Sequence, residues 1–436
     1  MINPFFHRGA IRRPEEFFGR QAVSNQILGL LRNGQSVSLI GPRRIGKSSL
    51  LLHLAREETR SAFDLAPPKA LFVLLDCQEL GGSPPEEVYE ALLIGLLDEA
   101  ESAGLDTGSV SRIDTYHSLD RVLSKIYRQK SSVVVLLDEF ELLAANEHLT
   151  PYFFARLRGL TTKYGLAYLT ASQRPLFAIT ADEQILSSPF FNIFVTLPLG
   201  LFTPEEATGL IDNRLANSDI AFSEPLCEHL LFLVGPHPFF LHIAGYHAFN
   251  AIQDKLLDDT VAHSTAVIDE AIEVEAGSHL GYLWQNLTDE EQYTLATRNG
   301  PIDSLRLLEQ QCLIEFENGD FRYTSDVLRR FVRRQQVIGL VQGGPFVIDI
   351  QRHTVRAGGG EMGLTTSQFD LLVCLTEHAG QVVHSDNLEI AVWDRILVDD
   401  PNRLKTLIKR LRRAIEPFES WIVSERGVGY ALRPPG

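Results

Sequence analysis

Short apolar runs alternate with longer helix-patterned stretches over the first half of the chain. The runs at 37–40, 71–75, 133–137 and 166–170 are continuous in apolar character. That pattern predicts strands of a parallel sheet, buried on both faces. Residues 85–104 and 152–162 carry helical spacing between them, and 22–31 predicts a helix ahead of the first strand. From about 204 to 280 the pattern is helical only. Residues 283–336 read as short helices followed by a hairpin, with runs at 313–316 and 321–324 around Asn318, Gly319 and Asp320. Val341-Gln-Gly-Gly-Pro345 reads as a turn-rich boundary. Residues 346–436 form a compact unit with strand signals at each end and helices between. No repeat of about 20–50 residues is present, which excludes a solenoid.

Composition narrows the class. The chain has 436 residues, 44% hydrophobic and 22% charged, which are ordinary globular values and suit several domains. Its net charge is −16, from 40 Lys+Arg and 56 Asp+Glu, which argues against coating nucleic acid or anionic membrane through bulk charge. The charge is uneven. Residues 341–436 hold 11 basic and 12 acidic side chains, while residues 1–340 hold 29 and 44. The N-terminal stretch, with Phe5, Phe6 and Arg8, lacks the apolar core of a secretory signal. Residues 230–249 carry no charged side chain, but Gly235-Pro-His-Pro238 breaks them in the middle, so a buried turn between core helices is expected rather than a membrane span. Cys77, Cys227, Cys312 and Cys374 are far apart, without zinc spacing, and read as buried free thiols of a reducing cytoplasm.

The chemistry concentrates at two places. Gly41-Pro42-Arg43-Arg44-Ile45-Gly46-Lys47-Ser48 fits G-x-x-x-x-G-K-[ST] between an apolar strand and a helix predicted from Ser49 to Arg56. Glycines let such a loop turn its N–H groups onto phosphate oxygens, and the helix N-terminus adds a favourable field. Lys47 would reach the β- and γ-phosphates and Ser48 would hold Mg²⁺. About 90 residues on, an apolar strand ends in Asp138 and Glu139. Asp138 is expected beside Mg²⁺, and Glu139 is placed to orient and deprotonate a water. The strand at 166–170 runs into Ser172, Gln173 and Arg174, any of which could sense the γ-phosphate.

Asn3-Pro-Phe-Phe-His-Arg8-Gly9, Phe17-Phe-Gly-Arg20 and the phosphate loop together resemble the STAND-type P-loop ATPases, the archaeal-ATPase branch related to AAA+. The resemblance spans roughly residues 3–335. It implies that Phe18, Gly19 and Arg20 lie near the adenine of ATP or ADP. The family often has paired arginines before Pro-Leu after the sensor strand; here Gln173 replaces the first, leaving Arg174. Pro236-His-Pro238 resembles the family's Gly-His-Pro element, whose proline packs on the base, which implicates Pro238. The family's lid is a helical bundle followed by a winged helix. These proteins typically act as nucleotide-controlled switches of domain arrangement and self-association.

The second place is Arg403-Leu-Lys-Thr-Leu-Ile-Lys-Arg-Leu-Arg-Arg-Ala-Ile415. Leu404, Leu407, Ile408, Leu411 and Ile415 make one apolar helix face. Arg403, Lys405, Lys409, Arg410, Arg412 and Arg413 cover the rest, with Thr406 among them. Lys405, Lys409 and Arg412 share a stripe, and a cationic rod of this kind suits a DNA major groove. With Leu364-Thr-Thr-Ser-Gln-Phe-Asp-Leu-Leu372, Gly380-Gln-Val-Val383, Trp393 and Ser424-Glu-Arg426-Gly-Val-Gly-Tyr430, the segment resembles the OmpR/PhoB-type winged-helix DNA-binding domain. The resemblance implies that Arg426, at the wing, probes the minor groove or phosphates of double-stranded DNA. Asn402 and Ser385 stand where arginine is common, so base preference is not carried over. The loop 394–401 corresponds to the segment that can touch RNA polymerase in that family. Arg329, Arg330, Arg333 and Arg334 near the end of the first winged helix read as the charged face of a lid, with a second DNA contact as the sharper alternative.

The expected fold class is α/β: a P-loop NTPase parallel sheet with helical lid and winged helix, followed by a second winged-helix (α+β) domain. The expected boundaries are 1–203 for the ATPase core, 204–282 for the lid, 283–340 for its winged helix and 341–436 for the DNA-binding domain. The leading functional expectation is a cytoplasmic, slowly hydrolysing ATPase switch that regulates transcription, with no membrane partner and with nucleotide-dependent homo-oligomers as a candidate state. A replication-initiator or loader ATPase, and a defence or signalling switch whose winged helix binds protein, are the alternatives.

Overall fold

The computed structural model describes residues 2–5, 9–108, 115–176, 189–254, 265–298, 300–317, 320–335, 339–350, 352–393 and 402–434. The 394–401 loop, the hairpin residues Asn318 and Gly319, and Phe6, His7 and Arg8 of the N-terminal motif lie outside them.

Five strands, β1 (Ser36–Ile40), β2 (Ala70–Asp76), β3 (Ser132–Asp138), β4 (Ala167–Ser172) and β5 (Phe194–Pro198), form one sheet in the order β2-β3-β4-β1-β5. All four pairings are parallel. Every strand therefore delivers its C-terminal end to the same edge, where open α/β sheets place their ligands. Alternate residues of β3 serve opposite faces, as strand geometry requires. Val133, Val135 and Leu137 pack with Leu92, Leu123 and Leu157 from helices Pro85–Ser102, Thr115–Arg128 and Pro151–Tyr164. Val134 and Leu136 join Ile27, Leu31, Leu50 and Leu54 from Gln21–Arg32 and Lys47–Ala55. Covering both faces explains the unbroken apolar runs of the sequence. β5 escaped that reading because it is a half-exposed strand at the sheet edge, closed by Pro198.

The all-helical stretch consists of Pro204–Leu215, Glu224–Val234, Pro238–Gln253 and Thr265–Gln285. Thr203 and Glu206 close a capping box at the first of these. The uncharged stretch 230–249 is broken at Gly235, Pro236 and His237, as expected, and no described helix is long and apolar enough to cross a membrane. Gly235 is at φ +67°, and a Cβ there would lie 2.1 Å from the Thr324 carbonyl oxygen. Helices Asp289–Thr297 and Ile302–Gln310, the hairpin β6 (Ile314–Glu317) and β7 (Asp320–Tyr323), and helix Asp326–Arg333 follow. All four cysteines are free; Cys77, Cys312 and Cys374 are buried and Cys227 is half-buried.

The chain divides into two compact units, Met1–Leu283 with Leu305–Phe331, and Trp284–Ser304 with Val332–Gly436. The second contains an antiparallel sheet of β8 (Leu340–Gly343), β9 (Phe346–Asp349), β10 (Thr354–Ala357) and β11 (Gly360–Met362). Here the sequence reading needs correction. Val341, Gln342 and Gly343 are strand rather than turn, and Gly344 and Pro345 are the turn of the β8–β9 hairpin. Gly343 is there for space: a Cβ would meet Thr376 Cγ2 at 2.9 Å and Ala379 Cβ at 3.0 Å. Helices Thr366–Glu377, Ser385–Trp393 and Arg403–Ala414 come next, with β12 (Val382–His384), β13 (Ile422–Glu425) and β14 (Gly429–Leu432) as the sheet β12-β14-β13. That is the winged-helix arrangement.

Gly235→Ala forces a Cβ into a backbone oxygen at a left-handed position, so it is expected to destabilise the first unit by about 2 kcal/mol or more. Calorimetric melting reads this as a lowered transition temperature for that unit, with the transition of the second unit unchanged.

Candidate functional site

β1 leads directly into the phosphate loop. The Gly41 amide donates to Ser172 O at the end of β4 (3.1 Å), and a Cβ on Gly41 would stand 2.6 Å from Leu199 O. The first glycine is thus required by the neighbouring strand extension. Ile45 is fully buried in the core and anchors the loop, while Arg44 (φ 65°) and Gly46 (φ 104°) take the left-handed turns. Lys47 opens the following helix. Its Nζ donates to the carbonyls of Gly41 (2.8 Å) and Pro42 (3.1 Å). Burial lowers its pKa, while Glu141, Glu139 and Asp138 act in the opposite direction.

A cavity of about 250 Å³ opens beside the loop. One wall is Arg43, Arg44 and Gly46 to Ser49. The other is largely apolar, from Phe18, Phe202, Leu210, Pro238 and Phe239, and Glu139, His242 and the segment 9–11 also line the cavity. A polar, amide-rich wall facing an apolar one suits a molecule with a phosphate tail and a flat hydrophobic end. The N-terminal segment joins through the Ile11 amide, which donates to Ser49 Oγ (3.0 Å). Pro238 takes its place as the first residue of its helix, where a missing N–H costs nothing.

Several expected residues stand outside this lining. Arg20 is buried, and its guanidinium donates to Ile45 O (3.2 Å), Gly200 O (2.7 Å) and Leu201 O (3.2 Å) while lying over the Phe202 ring. Burial pushes its pKa down to about 10. Arg20 is thus a strut behind the pocket. Gly19, at φ +70°, lets the chain pass Glu206, whose Oε1 accepts from the Arg20 amide (2.6 Å). Asp138 ends β3, and its Oδ1 accepts from the Glu139 amide (3.0 Å). Glu139 itself is at φ 50°, an uncommon left-handed conformation for a non-glycine residue, which turns the chain into the next helix.

The end of β4 and the two residues after it carry the three candidate sensor residues of the sequence. Ser172 is buried and donates to Arg174 O (2.8 Å), and Arg174 is exposed. The Gln173 amide donates to Glu141 Oε1 (3.3 Å). Glu141 therefore bridges the β3 and β4 ends, a role missed in the sequence. Its signal was the third acid of Asp138-Glu-Phe-Glu141. Burial raises its pKa, and its Oε2 has no partner.

Two buried histidines lie in the helices that follow the sheet and at the turn before Pro238. His237 and His279 lie against Phe240, and His279 also lies against Phe239. Burial first, then neighbouring positive charge, pushes His237 down to about 3 and His279 down to about 4.

In the second unit, Leu404, Leu407, Ile408, Leu411 and Ile415 are buried, as the periodicity requires. Lys405, Lys409, Arg410 and Arg413 are exposed, and Arg426 is exposed beside Gly427 (φ 78°) at the wing turn. Arg403 lies over the Trp393 ring (4.9 Å), and Thr406 Oγ1 donates back to Asn402 O (3.0 Å). Arg412 differs from the other members of its stripe. Its guanidinium donates to Ile422 O (2.6 and 3.2 Å) and to Ser424 Oγ (3.0 Å), fastening the helix to β13. In the first unit, Arg329 and Arg330 both pair with Asp326, and Arg330 also reaches Glu273 (2.5 Å). Those two arginines are thus paired with acids of their own unit.

Comparison with known proteins agrees with this architecture. Residues 26–301 match the family described as Novel STAND NTPase 2, well over half of the chain, and the protein belongs to that family. Residues 359–432 match the family described as Transcriptional regulatory protein, C terminal. The protein is therefore a STAND NTPase domain joined to an OmpR/PhoB-type DNA-binding domain. The Walker-type ATPase PABY2304 of Pyrococcus abyssi has a similar fold, with a TM-score of 0.53 at 16% identity, covering 76% of this chain and 99% of that one. Over 97 residues the chain is 35% identical to the sensory transduction protein RegX3 of Mycobacterium tuberculosis, covering 22% of this chain and 43% of that protein. It is 29% identical over 108 residues to the response regulator ArlR of Staphylococcus aureus, covering 24% and 49%. The chain thus spans less than half the length of these curated relatives.

The buried histidines set a pH dependence. Their folded pKa values lie below the ordinary 6.5, so the unfolded chain binds more protons between those limits. Stability is expected to fall as pH drops from about 6.5 toward 4. Melting temperature followed across that window checks this, and His279→Phe should flatten the curve.

Proposed function

We propose that the protein is an ATP-controlled, DNA-binding transcription regulator, in which slow hydrolysis resets the switch. The observation that carries this reading is the single cavity shared by the phosphate loop and the apolar face of the helices that follow the sheet. A ligand seated there touches both the loop and those helices, so its phosphate state bears on their arrangement. The exposed cationic helix and wing of the second unit supply the output surface.

In this reading the base packs among Phe18, Phe202 and Pro238, and the loop amides from Gly41 to Ser49 receive the phosphates. Arg43 and Arg44 border the same tail. Lys47 exchanges the carbonyls of Gly41 and Pro42 for phosphate oxygens. Ser48 and Asp138 would hold Mg²⁺, which would offset the charge on the phosphates. Glu139 orients a water and takes its proton, and Arg174 is the candidate sensor after β4. Turnover is slow, and ATP against ADP sets how the DNA-binding domain is displayed or how many copies assemble. The four-part division at 203/204, 282/283 and 340/341, a cytoplasmic location, and contact of the 394–401 loop with RNA polymerase belong to the same proposal.

Lys47→Ala is expected to abolish ATP binding, measured by calorimetric titration, while Glu139→Gln keeps binding and loses phosphate release. Normal hydrolysis by Lys47→Ala would refute the site.

DNA docking rests on Lys405, Thr406, Lys409, Arg410, Arg413 and Arg426, with Arg403 at the start of the helix. Lys409→Ala plus Arg410→Ala should weaken binding and lower the salt slope by about 0.9 for each lost phosphate contact. Arg412→Ala should chiefly lower the melting temperature of the second unit. Fluorescence anisotropy across a salt series and thermal melting separate the two outcomes.

A further inference from the structure

The two arginines of the phosphate loop do not point only at the cavity. The Arg44 guanidinium lies over the Phe239 ring, 4.4 Å from its centroid, and that of Arg43 lies over the Tyr282 ring at 4.8 Å. Phe239 belongs to helix Pro238–Gln253 and Tyr282 to helix Thr265–Gln285. Two consecutive loop residues therefore reach two separate helices that come after the sheet. Arg43, Arg44 and Phe239 also line the cavity, whereas Tyr282 does not. The same arginines are close enough to His279 to help hold it neutral.

A guanidinium over an aromatic face is attracted by the ring quadrupole, by about 0.5–1 kcal/mol at an exposed site. A phosphate oxygen offers the same guanidinium a stronger, charge-assisted partner. The two partners compete for one cation. We infer that Arg43 and Arg44 are specificity-determining residues that read the polyphosphate tail of a bound nucleoside triphosphate, and that Phe239 and Tyr282 are competing holders of the same guanidinium groups. Filling the loop with phosphate takes the arginines off the rings and frees the two helices from the loop. The rings in turn tax phosphate binding, because their hold on the arginines must be broken first.

This inference rests on the nucleotide reading above and makes a prediction of unusual sign. Removing a ring that lines no part of the cavity should tighten nucleotide binding. Tyr282→Leu in the full-length chain is expected to bind ATPγS about two- to fivefold more tightly than wild type, the range set by one exposed cation–π contact. Tyr282→Phe keeps the ring face and should match wild type. In Arg43→Met, ATPγS should bind more weakly, and adding Tyr282→Leu to it should bring no gain. Isothermal titration with ATPγS, with melting curves to confirm folding, reads all four proteins. Unchanged or weaker binding by Tyr282→Leu overturns the inference. So does a Tyr282→Phe variant that behaves like Tyr282→Leu, a gain that persists in the double variant, or unchanged binding by Arg43→Met. Failure of wild type itself to bind ATPγS or ADP would instead refute the nucleotide reading.

Discussion

The buried guanidinium of Arg20 joins three parts of the first unit that are far apart in sequence. It satisfies carbonyls of the phosphate loop at Ile45 and of the segment after β5 at Gly200 and Leu201, and it covers Phe202. A charge this buried is tolerated only when its donors are used, and here three carbonyl acceptors supply that. The geometry of the cavity depends on it. Ile45 fixes the loop from below, Phe202 forms part of the apolar wall, and Arg20 holds the two at a set spacing. The Arg20 amide then binds Glu206, which also closes the capping box of the first helix after the sheet. One residue thus ties the N-terminal segment, the loop and the beginning of the helical region into a single frame.

Sheet order does the complementary work. Because β4 lies between β1 and β3, the phosphate loop and the Asp138–Glu139 turn are one strand apart, with the Ser172–Gln173 end between them. Glu141 spans that gap by accepting from the Gln173 amide. The polar end of the sheet is consequently a connected set of carboxylates, loop amides and Lys47 rather than three independent motifs.

The second unit solves a different problem. Its helix Arg403–Ala414 is held firmly while most of its cations are left free. Burial of five apolar residues holds it from beneath, and Arg412 spends its donors on the Ile422 carbonyl and Ser424 of β13 as a side fastening. The remaining cations stay in solvent.

The layers and the motifs are legible in local stretches of the chain. Continuous apolar runs follow from burial on both faces, the G-x-x-x-x-G-K-S loop from the needs of phosphate binding, and the helix 403–414 from its period and charge. Those signals are local, each contained in a dozen residues. Tertiary structure decided what long-range partners impose. It turned Arg20 and Arg412 from candidate ligand contacts into struts, because each finds backbone carbonyls supplied by distant segments. It made Gly343 a packing residue within a hairpin, because Thr376 lies against it. It revealed Glu141 between two strand ends, and it set Arg43 and Arg44 on rings contributed by helices more than 190 residues away. Sequence spacing carries no trace of such pairings, since which cation meets which carbonyl or ring depends on the packing of the whole unit.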